Sequence, residues 1–260
     1  MSGKKPIPII VPENIISKEN KPDKADFKKG LVLLIDKPKE WTSFDVVNKL
    51  RFTIKHKLEV KKIKVGHAGT LDPMATGLLI LCVGKYTKSI DQMVGMDKTY
   101  SATLKLGATT PSFDAESDED ANYPTDHITQ DLLEEKLALF QGEIEQCPPM
   151  FSAIKIKGQK LYELARKGKT VERKVRHLTI NDCHLTRIDL PNEVDMFVDC
   201  SKGTYIRAIA DDYGRSLGSG AYLTALRRLS IGNYNVDVAM SIEEAAEWID
   251  ATEAIMEPLI

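Results

Sequence analysis

One aspartate of this sequence stands in a strongly constrained stretch. Asp72 lies between Gly69 and Gly77 and is followed directly by Pro73. Glycine permits positive φ angles and close backbone approach, whereas proline fixes its own φ and moves the preceding residue away from helical angles. A carboxylate on such a loop can act as a nucleophile or as a general base. The alternative is a structural role, in which Asp72 accepts hydrogen bonds from the amides that follow it.

His67 precedes the aspartate in the same stretch of chain. An imidazole can serve as a general base or as a metal ligand. However, no second histidine or cysteine stands close to it in sequence, so metal binding has little support. A structural role, or a contact with a bound base, fits His67 better.

Four other side chains could meet a planar or anionic ligand. Tyr100 follows a lysine in a strand-like segment and could stack on a ring, or could simply be half-buried. Arg207 comes four residues after Gly203, where its guanidinium could pair with a carboxylate or a phosphate. Arg227 and Arg228 could face a phosphate together, or could mark the end of a surface helix.

The overall charge neither favours nor excludes a nucleic-acid partner. The chain has 260 residues, a formal net charge of -2 and 42% hydrophobic residues, which suffices for a proper core. Its charges are unevenly placed, because the first sixty or so residues and 155–187 are rich in lysine and arginine, whereas 114–145 and the stretch after 237 are acidic. Local charge is what decides nucleic-acid binding. No phosphate-binding P-loop, dinucleotide fingerprint or nucleophile elbow is present.

The cysteines predict neither a zinc site nor a disulfide framework. Cys82, Cys147, Cys183 and Cys200 are scattered without paired spacing, which fits a reducing cytoplasm. Three prolines interrupt the short apolar run near the N-terminus. We therefore expect neither a signal peptide nor a membrane span.

Local patterns predict the elements that carry these residues. A strand over 30–36 runs into a helix that begins at Thr42-Ser43 and bears Val46, Val47, Leu50 and Ile54 at helical spacing. The apolar run 77–83 and the alternating run 98–106 predict two further strands.

The second half of the chain has the same mixed character. We expect a short amphipathic helix that follows Thr129, bears Leu132, Leu133, Leu137 and Phe140, and is closed by Gly142 as its C-cap. Strands are expected over 175–188 and 194–200, and a helix over 209–217. The mixed order of elements predicts a single α+β domain.

Several of these segments, taken in order, resemble the TruB family of tRNA pseudouridine(55) synthases. The resemblance extends from about Gly30 to Met240. The matching motifs are Asp36-Lys37-Pro38, Thr42-Ser43, Gly66-His67-Ala68-Gly69-Thr70-Leu71-Asp72-Pro73-Met74-Ala75-Thr76-Gly77, Lys98-Thr99-Tyr100, Pro148-Pro149-Met150-Phe151-Ser152-Ala153-Ile154-Lys155, Tyr162-Glu163-Leu164-Ala165-Arg166, Ser201-Lys202-Gly203-Thr204-Tyr205-Ile206-Arg207 and Leu226-Arg227-Arg228.

The resemblance implies a fold, a reaction and three catalytic roles. The fold is an α+β pseudouridine synthase fold, whose largely antiparallel, mixed central sheet is flanked by helices and loops. Asp72 is the catalytic aspartate, Tyr100 stacks on the target uracil, and Arg207 is the ion-pair partner that positions Asp72. Uridine becomes pseudouridine without a metal or an organic cofactor, after the base has left its stack.

The same resemblance implies an RNA-binding surface. His67 would lie near the flipped base, and Tyr205 and Leu226 would line its pocket. The basic segment 154–176 would close over the T stem-loop of tRNA and contact phosphates. Further substrate or RNA contacts would come from Lys37, Lys98, Lys155, Arg227 and Arg228. The expected partner is tRNA alone, bound by a cytoplasmic monomer that needs no protein partner and no membrane.

Two features depart from the family pattern. The segment Thr110-Pro111-Ser112-Phe113-Asp114-Ala115-Glu116 differs from many members, which puts the polar contacts of that loop in doubt. The expected organisation is a partly disordered extension over 1–29, a catalytic domain over 30–240 and a short acidic tail over 241–260. That tail is too short for the RNA-binding PUA domain that many relatives carry.

Two other functions stay open at this point. One is a guide-RNA-dependent synthase that modifies ribosomal RNA, which the expected lack of a PUA domain disfavours. The other is a non-catalytic protein that binds or folds tRNA, in which the Asp72 loop is only a rigid element.

Overall fold

A computed structural model describes residues 7–152, 154–156 and 158–255 of the chain. These residues divide into two compact units. Unit 1 contains the described residues up to Met96 together with those from Arg227 onward, and unit 2 extends from Asp97 to Leu226.

Strands and short helices alternate along the chain. In chain order the strands are β1 (Ile15–Ile16), β2 (Lys24–Ala25), β3 (Leu31–Lys37), β4 (Val65–His67), β5 (Thr76–Val83), β6 (Lys98–Leu106), β7 (Ala108–Thr109), β8 (Ala121–Asn122), β9 (Gly142–Gln146), β10 (Lys155–Ile156), β11 (Gln159–Lys160), β12 (Arg176–Asp189), β13 (Glu193–Cys200), β14 (Ala221–Ile231), β15 (Tyr234–Asn235) and β16 (Glu253–Ala254). The α-helices are α1 (Ser43–Lys57), α2 (Ile90–Val94), α3 (Gln130–Leu137), α4 (Leu161–Ala165), α5 (Ile206–Ser216) and α6 (Ile242–Ala251). Short 3₁₀ helices cover Pro12–Asn14, Gly84–Ser89, Ala138–Phe140 and Val236–Val238.

Strand β5 is the centre of the sheet in unit 1. Strand β3 pairs with it antiparallel along its whole length, from Leu31 opposite Val83 to Lys37 opposite Gly77. Strand β4 pairs antiparallel with the last three residues of β5, and the second half of β14 pairs parallel with its first two. The beginnings of β3 and β4 and the end of β5 therefore meet at one end of the sheet. The Asp72 loop, which joins β4 to β5, lies at the opposite end.

Helix α1 covers this sheet with the face that its sequence pattern predicts. Thr42 is the N-cap, and Asp45 completes a capping box, an arrangement that typically stabilises a helix by about 1 kcal/mol. Val46, Leu50 and Ile54 are all fully buried in the core of unit 1. The predicted helix start and its buried face are both confirmed.

The predicted N-terminal extension and acidic tail contribute to the same core. Ile16 and Phe27 are buried among the residues of unit 1, and the indole of Trp248 in α6 donates to the carbonyl of Pro22 at 3.1 Å. Residues 1–6 and 256–260 lie outside the described residues. The assignment of 30–240 as one catalytic domain stays a prediction.

Unit 2 is built on a ladder of antiparallel strands. Strand β13 pairs with β6 on one edge and with β12 on the other, and β12 continues the ladder to β9. Helices α3 and α5 are joined by the Tyr213 hydroxyl, which donates to the carbonyl of Leu133 at 2.8 Å. With helices beside sheets in both units, the predicted α+β class with largely antiparallel pairing is confirmed.

Most of the predicted strands form close to their expected bounds, but two helix boundaries differ. Gly142 does not cap α3, because the chain passes through a 3₁₀ turn and Gly142 then opens strand β9. Helix α5 begins at Ile206 rather than near Ile209, so Arg207 lies in its first turn. Throughout the described ranges, none of the helices combines the length and the apolar character needed to cross a membrane.

Candidate active site

The Asp72 loop of unit 1 joins β4 to β5, and backbone hydrogen bonds hold it on both sides of the aspartate. The amide of Ala68 donates to the carbonyl of Ile80 at 2.9 Å, and the amide of Ala75 donates to the carbonyl of Asp72 at 3.1 Å. Ala68 and Ala75 are fully buried, whereas the Asp72 side chain is half-buried. The loop is thus anchored at both ends by buried residues, and the carboxylate is borne between the anchors.

Ser43, the first residue of α1, holds the residue just before the aspartate. Its hydroxyl donates to the carbonyl of Leu71 at 3.1 Å and accepts from the Leu71 amide at 2.9 Å. Both partners are buried, so this one side chain satisfies two backbone groups that water does not reach. In the predicted motif Thr42-Ser43, Thr42 therefore caps α1 and Ser43 holds the loop.

Lys37 supports the residue just after the aspartate. Its side chain is fully buried, and its ammonium donates to the carbonyls of Trp41 at 2.6 Å, Pro38 at 2.9 Å and Pro73 at 3.4 Å. A buried cation requires such acceptors, because a charge that is moved out of water without hydrogen-bond partners costs several kcal/mol, on the order of the penalties known for buried charges. The ammonium of Lys37 thus lies inside the protein among backbone carbonyls, and its expected contact with RNA stays a prediction.

Arg228 of β14 supports the start of the loop. It is 1% exposed, and its guanidinium donates to the carbonyls of Leu78 at 2.7 Å and Gly69 at 3.1 Å. Gly77, at φ +100°, lies so close to the Arg228 backbone that a Cβ atom there would be 2.8 Å from the Arg228 amide nitrogen. Both arginines belong to a strand, so the helix-end alternative is wrong. Arg228 thus supports the loop from a buried position, and its expected phosphate contact stays a prediction.

Arg227, the neighbour of Arg228, makes a bidentate ion pair with the predicted motif residue Asp36. Its two terminal nitrogens lie 3.0 and 2.7 Å from the two carboxylate oxygens. This hydrogen bonding with Asp36 raises the pKa of Arg227 further above its ordinary value. The pair links β14 to the end of β3. Both side chains are partly exposed, so this link lies at the protein surface.

His67 ends β4 close to Arg228. Burial is the main cause that lowers the pKa of His67, and the positive charge of Arg228 lowers it further. The imidazole is therefore neutral at pH 7. Among the described residues its Nδ1 atom has no hydrogen-bond partner, which suits a ring that meets a ligand better than a ring that only supports the fold.

In unit 2 the candidate site contains a buried charged residue, Arg207. Its side chain is 5% exposed, and it donates to the carbonyls of Ser112 at 3.1 Å and Phe151 at 2.9 Å. The carboxylate of Asp114 lies 3.2 Å from the same guanidinium. Arg207 is thus fixed at the start of α5 by the loop that follows β7 and by the Pro148–Pro149 turn region.

Asp114 is a residue that motif reasoning missed. It is fully buried, and one of its oxygens accepts from the Ser112 hydroxyl at 2.6 Å and from the Glu116 amide at 3.0 Å. The segment 110–116 departs from the family pattern, but it keeps a polar network. A clue was available in sequence, since an aspartate in a turn commonly accepts from the backbone amide two residues later, as Asp114 does from Glu116.

The other predicted residues of unit 2 lie on its strands and at the start of α5. Tyr100 and Lys98 point from β6 into largely buried positions, at 7% exposure each, and Leu226 ends this unit at 8%. Tyr205 precedes α5, where Gln146 accepts from its amide at 2.8 Å and donates to its carbonyl at 3.1 Å. The backbone beside Arg207 is therefore clamped as well.

The basic segment begins with the exposed residue Lys155 in the β10–β11 hairpin. Tyr162 of α4 lies between two cations, with the Lys160 ammonium 5.3 Å and the Arg166 guanidinium 5.5 Å from its ring centre. Ala153, just before this segment, and position 157 within it lie outside the described residues. The described part forms a solvated, positively charged surface, as an RNA-binding role requires.

Within unit 1 the structure brings together the Asp72 loop, Lys37, His67 and Arg228, and within unit 2 it brings Arg207 next to Asp114. The pairing of Asp72 with Arg207 and the stacking role of Tyr100 stay predictions. Each unit has charged groups on a rigid frame, which is what positioned acid–base or nucleophilic chemistry needs.

Comparison with known proteins places this arrangement in a family. The model of the family described as TruB family pseudouridylate synthase (N terminal domain) matches residues 55–206. The chain is 55% identical over 228 residues to the tRNA pseudouridine synthase B of Phocaeicola vulgatus, an alignment that covers 88% of this chain and 97% of that protein. It is 51% identical over 218 residues to the protein of the same name from Flavobacterium johnsoniae, covering 84% and 95% respectively.

Solved structures share the fold. The chain superposes with a TM-score of 0.63 and 25% identity on a chain of the crystal structure of a Cbf5-Nop10-Gar1 complex. A chain from the structure of an H/ACA RNP bound to a substrate RNA containing 2'-deoxyuridine gives a TM-score of 0.60 at 22% identity. The alignments cover 91% and 92% of this chain but only 59% of each matched chain, so this chain spans a little over half the length of those proteins.

Proposed function

The chain belongs to the TruB family of pseudouridylate synthases, and from that premise we propose that it converts uridine to pseudouridine at position 55, in the T loop of tRNA. Relatives more than half identical over nearly their whole length carry the name tRNA pseudouridine synthase B. The observation that carries the assignment of the reacting group is the tethering of the loop on both sides of Asp72, at Leu71 and Pro73.

The proposed reaction is an isomerisation in which one bond to the ribose replaces another. The N1–C1′ bond breaks, the uracil turns, and C5 bonds to C1′. The C5 proton is then lost and N1 gains a proton, so that substrate and product contain the same atoms. Asp72 would either attack C1′ or remove a ribose proton to give a glycal. Both routes require the carboxylate beside the ribose of a nucleotide that has left its stack.

The other roles are proposals that follow from the family pattern. Tyr100 stacks on the uracil, and Arg207 positions the carboxylate of Asp72. The neutral imidazole of His67 is suited to lie against an uncharged base, because it brings no charge into a largely buried site. The basic segment from Ile154 to Arg176 supplies phosphate contacts.

The decisive experiment is to incubate the purified protein with an unmodified tRNA transcript and to map pseudouridine by nucleotide. We expect modification at position 55 alone, and none after that uridine is replaced by cytidine. Modification that requires an added guide RNA would instead support a guide-dependent enzyme, and modification outside the T loop would overturn the specificity.

The variant Asp72→Asn tests the catalytic assignment. It removes the nucleophile or base while keeping the shape of the side chain, so we expect turnover to fall by at least about 10³-fold with tRNA affinity and the unfolding midpoint retained. Asp91→Asn, at an exposed aspartate of α2, is the matched control and should keep wild-type rates. If Asp72→Asn retained appreciable turnover, Asp72 would not be the catalytic group. If the wild type refolded tRNA but modified none, a binding or folding protein would be the better description.

A further inference from the structure

A second charged feature of unit 1 lies at the end of the sheet opposite the Asp72 loop. It is a shallow pocket of about 310 Å³, here called the lysine pocket, whose lining residues are Lys28, Lys62, Ile63, Lys64, Gly84, Lys85, Thr87 and Lys88. Its five lysines are all exposed. No aspartate or glutamate contributes to the lining, so the pocket presents only positive charge to solvent.

The backbone that carries these lysines is firmly held. Three segments meet at Gly84, whose amide donates to the carbonyl of Lys64 at 2.9 Å, while the amide of Lys85 donates to the carbonyl of Lys28 at 3.3 Å. Gly84 has φ +61°, and a Cβ atom there would lie 2.6 Å from the Lys28 carbonyl oxygen. The segments are therefore packed too closely for any residue but glycine at this junction. The lysines extend from a fixed frame rather than from a loose loop.

A carboxylate beside the pocket, that of Asp26, accepts from the backbone amides of Lys28 and Lys29 at 2.9 and 2.8 Å. Within the ranges that the structure describes, none of the five lysines forms a salt bridge with a carboxylate. Like charges that converge on one pocket repel each other, and a bound polyanion removes that repulsion while it releases its own counterions. Phosphates on a nucleic-acid backbone meet lysine in this way, as point charges without demanding geometry.

The topology relates this pocket to the proposed reaction site. Strand β5 runs from Thr76, next to the Asp72 loop, to Val83, next to Gly84. At roughly 3.3 Å per residue its seven steps separate the two places by about 23 Å. At roughly 2.8 Å per base pair of an A-form RNA helix this is the length of about eight stacked pairs. An RNA whose loop nucleotide reaches Asp72 can therefore bring phosphates to the lysine pocket if about eight pairs stack behind that loop.

We propose that the lysine pocket is a second phosphate-binding site for the RNA substrate, which holds the stem while the loop nucleotide reacts at Asp72. This proposal rests on the proposed function in one respect, namely that the substrate is a structured RNA. The pocket contributes affinity and orientation but takes no part in the chemistry.

The test is the salt dependence of tRNA binding by the triple variant Lys62→Ala/Lys85→Ala/Lys88→Ala. Each phosphate contact contributes a slope of about 0.9 to the fall of log affinity with log salt concentration. Three lost contacts should lower the slope by about 2 to 3 and shrink the change in affinity between 50 and 200 mM salt by about 40-fold. Steady-state kinetics should show a raised KM and an unchanged kcat.

A matched control carries the same change of charge elsewhere on unit 1. Lys18, Lys21 and Lys49 are exposed lysines outside the pocket, and the variant Lys18→Ala/Lys21→Ala/Lys49→Ala should change the slope by less than 1. A hairpin RNA with a stem of four base pairs, too short to span about 23 Å, should bind both triple variants and the wild type alike.

The outcomes separate this proposal from the proposed function. Equal salt slopes for the two triple variants, or an equal loss with the short hairpin, would overturn the lysine pocket as an RNA site even if position 55 is modified. Unchanged slopes combined with loss of binding to an acidic protein would assign the pocket to that partner instead. The salt slopes are measured in binding experiments alone. They therefore test the lysine pocket whether or not the protein forms pseudouridine.

Discussion

Replacing Gly77, which lies in β5 next to the Asp72 loop, by alanine should disturb the loop more than the same change at Gly69. Gly77 has φ +100°, which costs an L-residue about 1–2 kcal/mol. The new Cβ would lie 2.8 Å from the Arg228 amide nitrogen and would also clash with the Arg228 carbonyl oxygen. Both are backbone atoms, so no side chain can turn away, and overpacking of this kind adds about 1–3 kcal/mol. The expected loss of stability is about 2–5 kcal/mol.

The consequence for activity follows from what Arg228 holds. If β14 is pushed away from β5, the guanidinium of Arg228 moves relative to the carbonyls of Leu78 and Gly69, which are its acceptors at 2.7 and 3.1 Å. A displacement of about 1 Å at a reacting group can lower turnover about 10²-fold. We therefore expect Gly77→Ala to lose both stability and kcat, with KM for tRNA little changed.

Urea unfolding of Gly77→Ala and of Gly69→Ala separates the two contributions. Gly69 belongs to the same unit and has a similar φ of +91°, but a Cβ there would meet only the Arg228 side chain at an ordinary 3.5 Å. Its variant should lose only the backbone contribution of about 1–2 kcal/mol. If the two variants unfolded at the same urea concentration, the close approach of β14 would not matter and the reasoning would fail.

Two further predictions concern the charged groups of the site. Asp114→Asn should destabilise unit 2 by about 3–5 kcal/mol, because it breaks the buried pair with Arg207; hydrogen exchange of the α5 amides measures this, and wild-type protection would contradict it. The His67 imidazole should titrate in NMR below its ordinary pKa of about 6.5, since burial and Arg228 disfavour its cation. The unfolded chain then binds that proton at a higher pH than the folded chain, so His67→Gln should lessen the loss of stability as pH falls below about 6.5; an unchanged acid limb would be evidence against a buried neutral ring.

The elements predicted well are those whose physics is local. The strands β5 and β6 could be predicted from their own residues. A continuous apolar run indicates a strand buried on both faces, as in β5, and an alternating pattern indicates a strand buried on one face, as in β6. The start of α1 is equally local, since Thr42 and Asp45 form a capping box within four residues.

The features that could not be predicted are those that depend on contacts with other parts of the chain. The burial of Lys37 and Arg228 could not be predicted, because lysine and arginine are usually exposed, whereas here backbone carbonyls accept hydrogen bonds from their charged groups inside the protein. Asp114 was overlooked because its partner Arg207 is 93 positions away in sequence, and only the fold brings them to 3.2 Å. Gly142 was read as a cap because a glycine after a helix usually is one, whereas here a 3₁₀ turn intervenes.

The buried cations also change the explanation of why the Asp72 loop is rigid. Its glycines and Pro73 only permit the observed backbone path, since permissive dihedral angles do not by themselves select one conformation. Selection comes from tethers at alternate residues: Arg228 binds the carbonyl of Gly69, and Ser43 binds both backbone groups of Leu71. The carbonyl of Pro73 accepts from the Glu40 amide at 2.8 Å and from the Lys37 ammonium at 3.4 Å. Moving the loop would take a carbonyl away from a buried charge, and a hydrogen bond to a charged group contributes about 1.5–3 kcal/mol. This is several times the thermal energy, so Asp72 is confined between its tethered neighbours before any substrate arrives. A carboxylate confined in this way has already lost the freedom that a reacting group must otherwise give up on reaching the transition state.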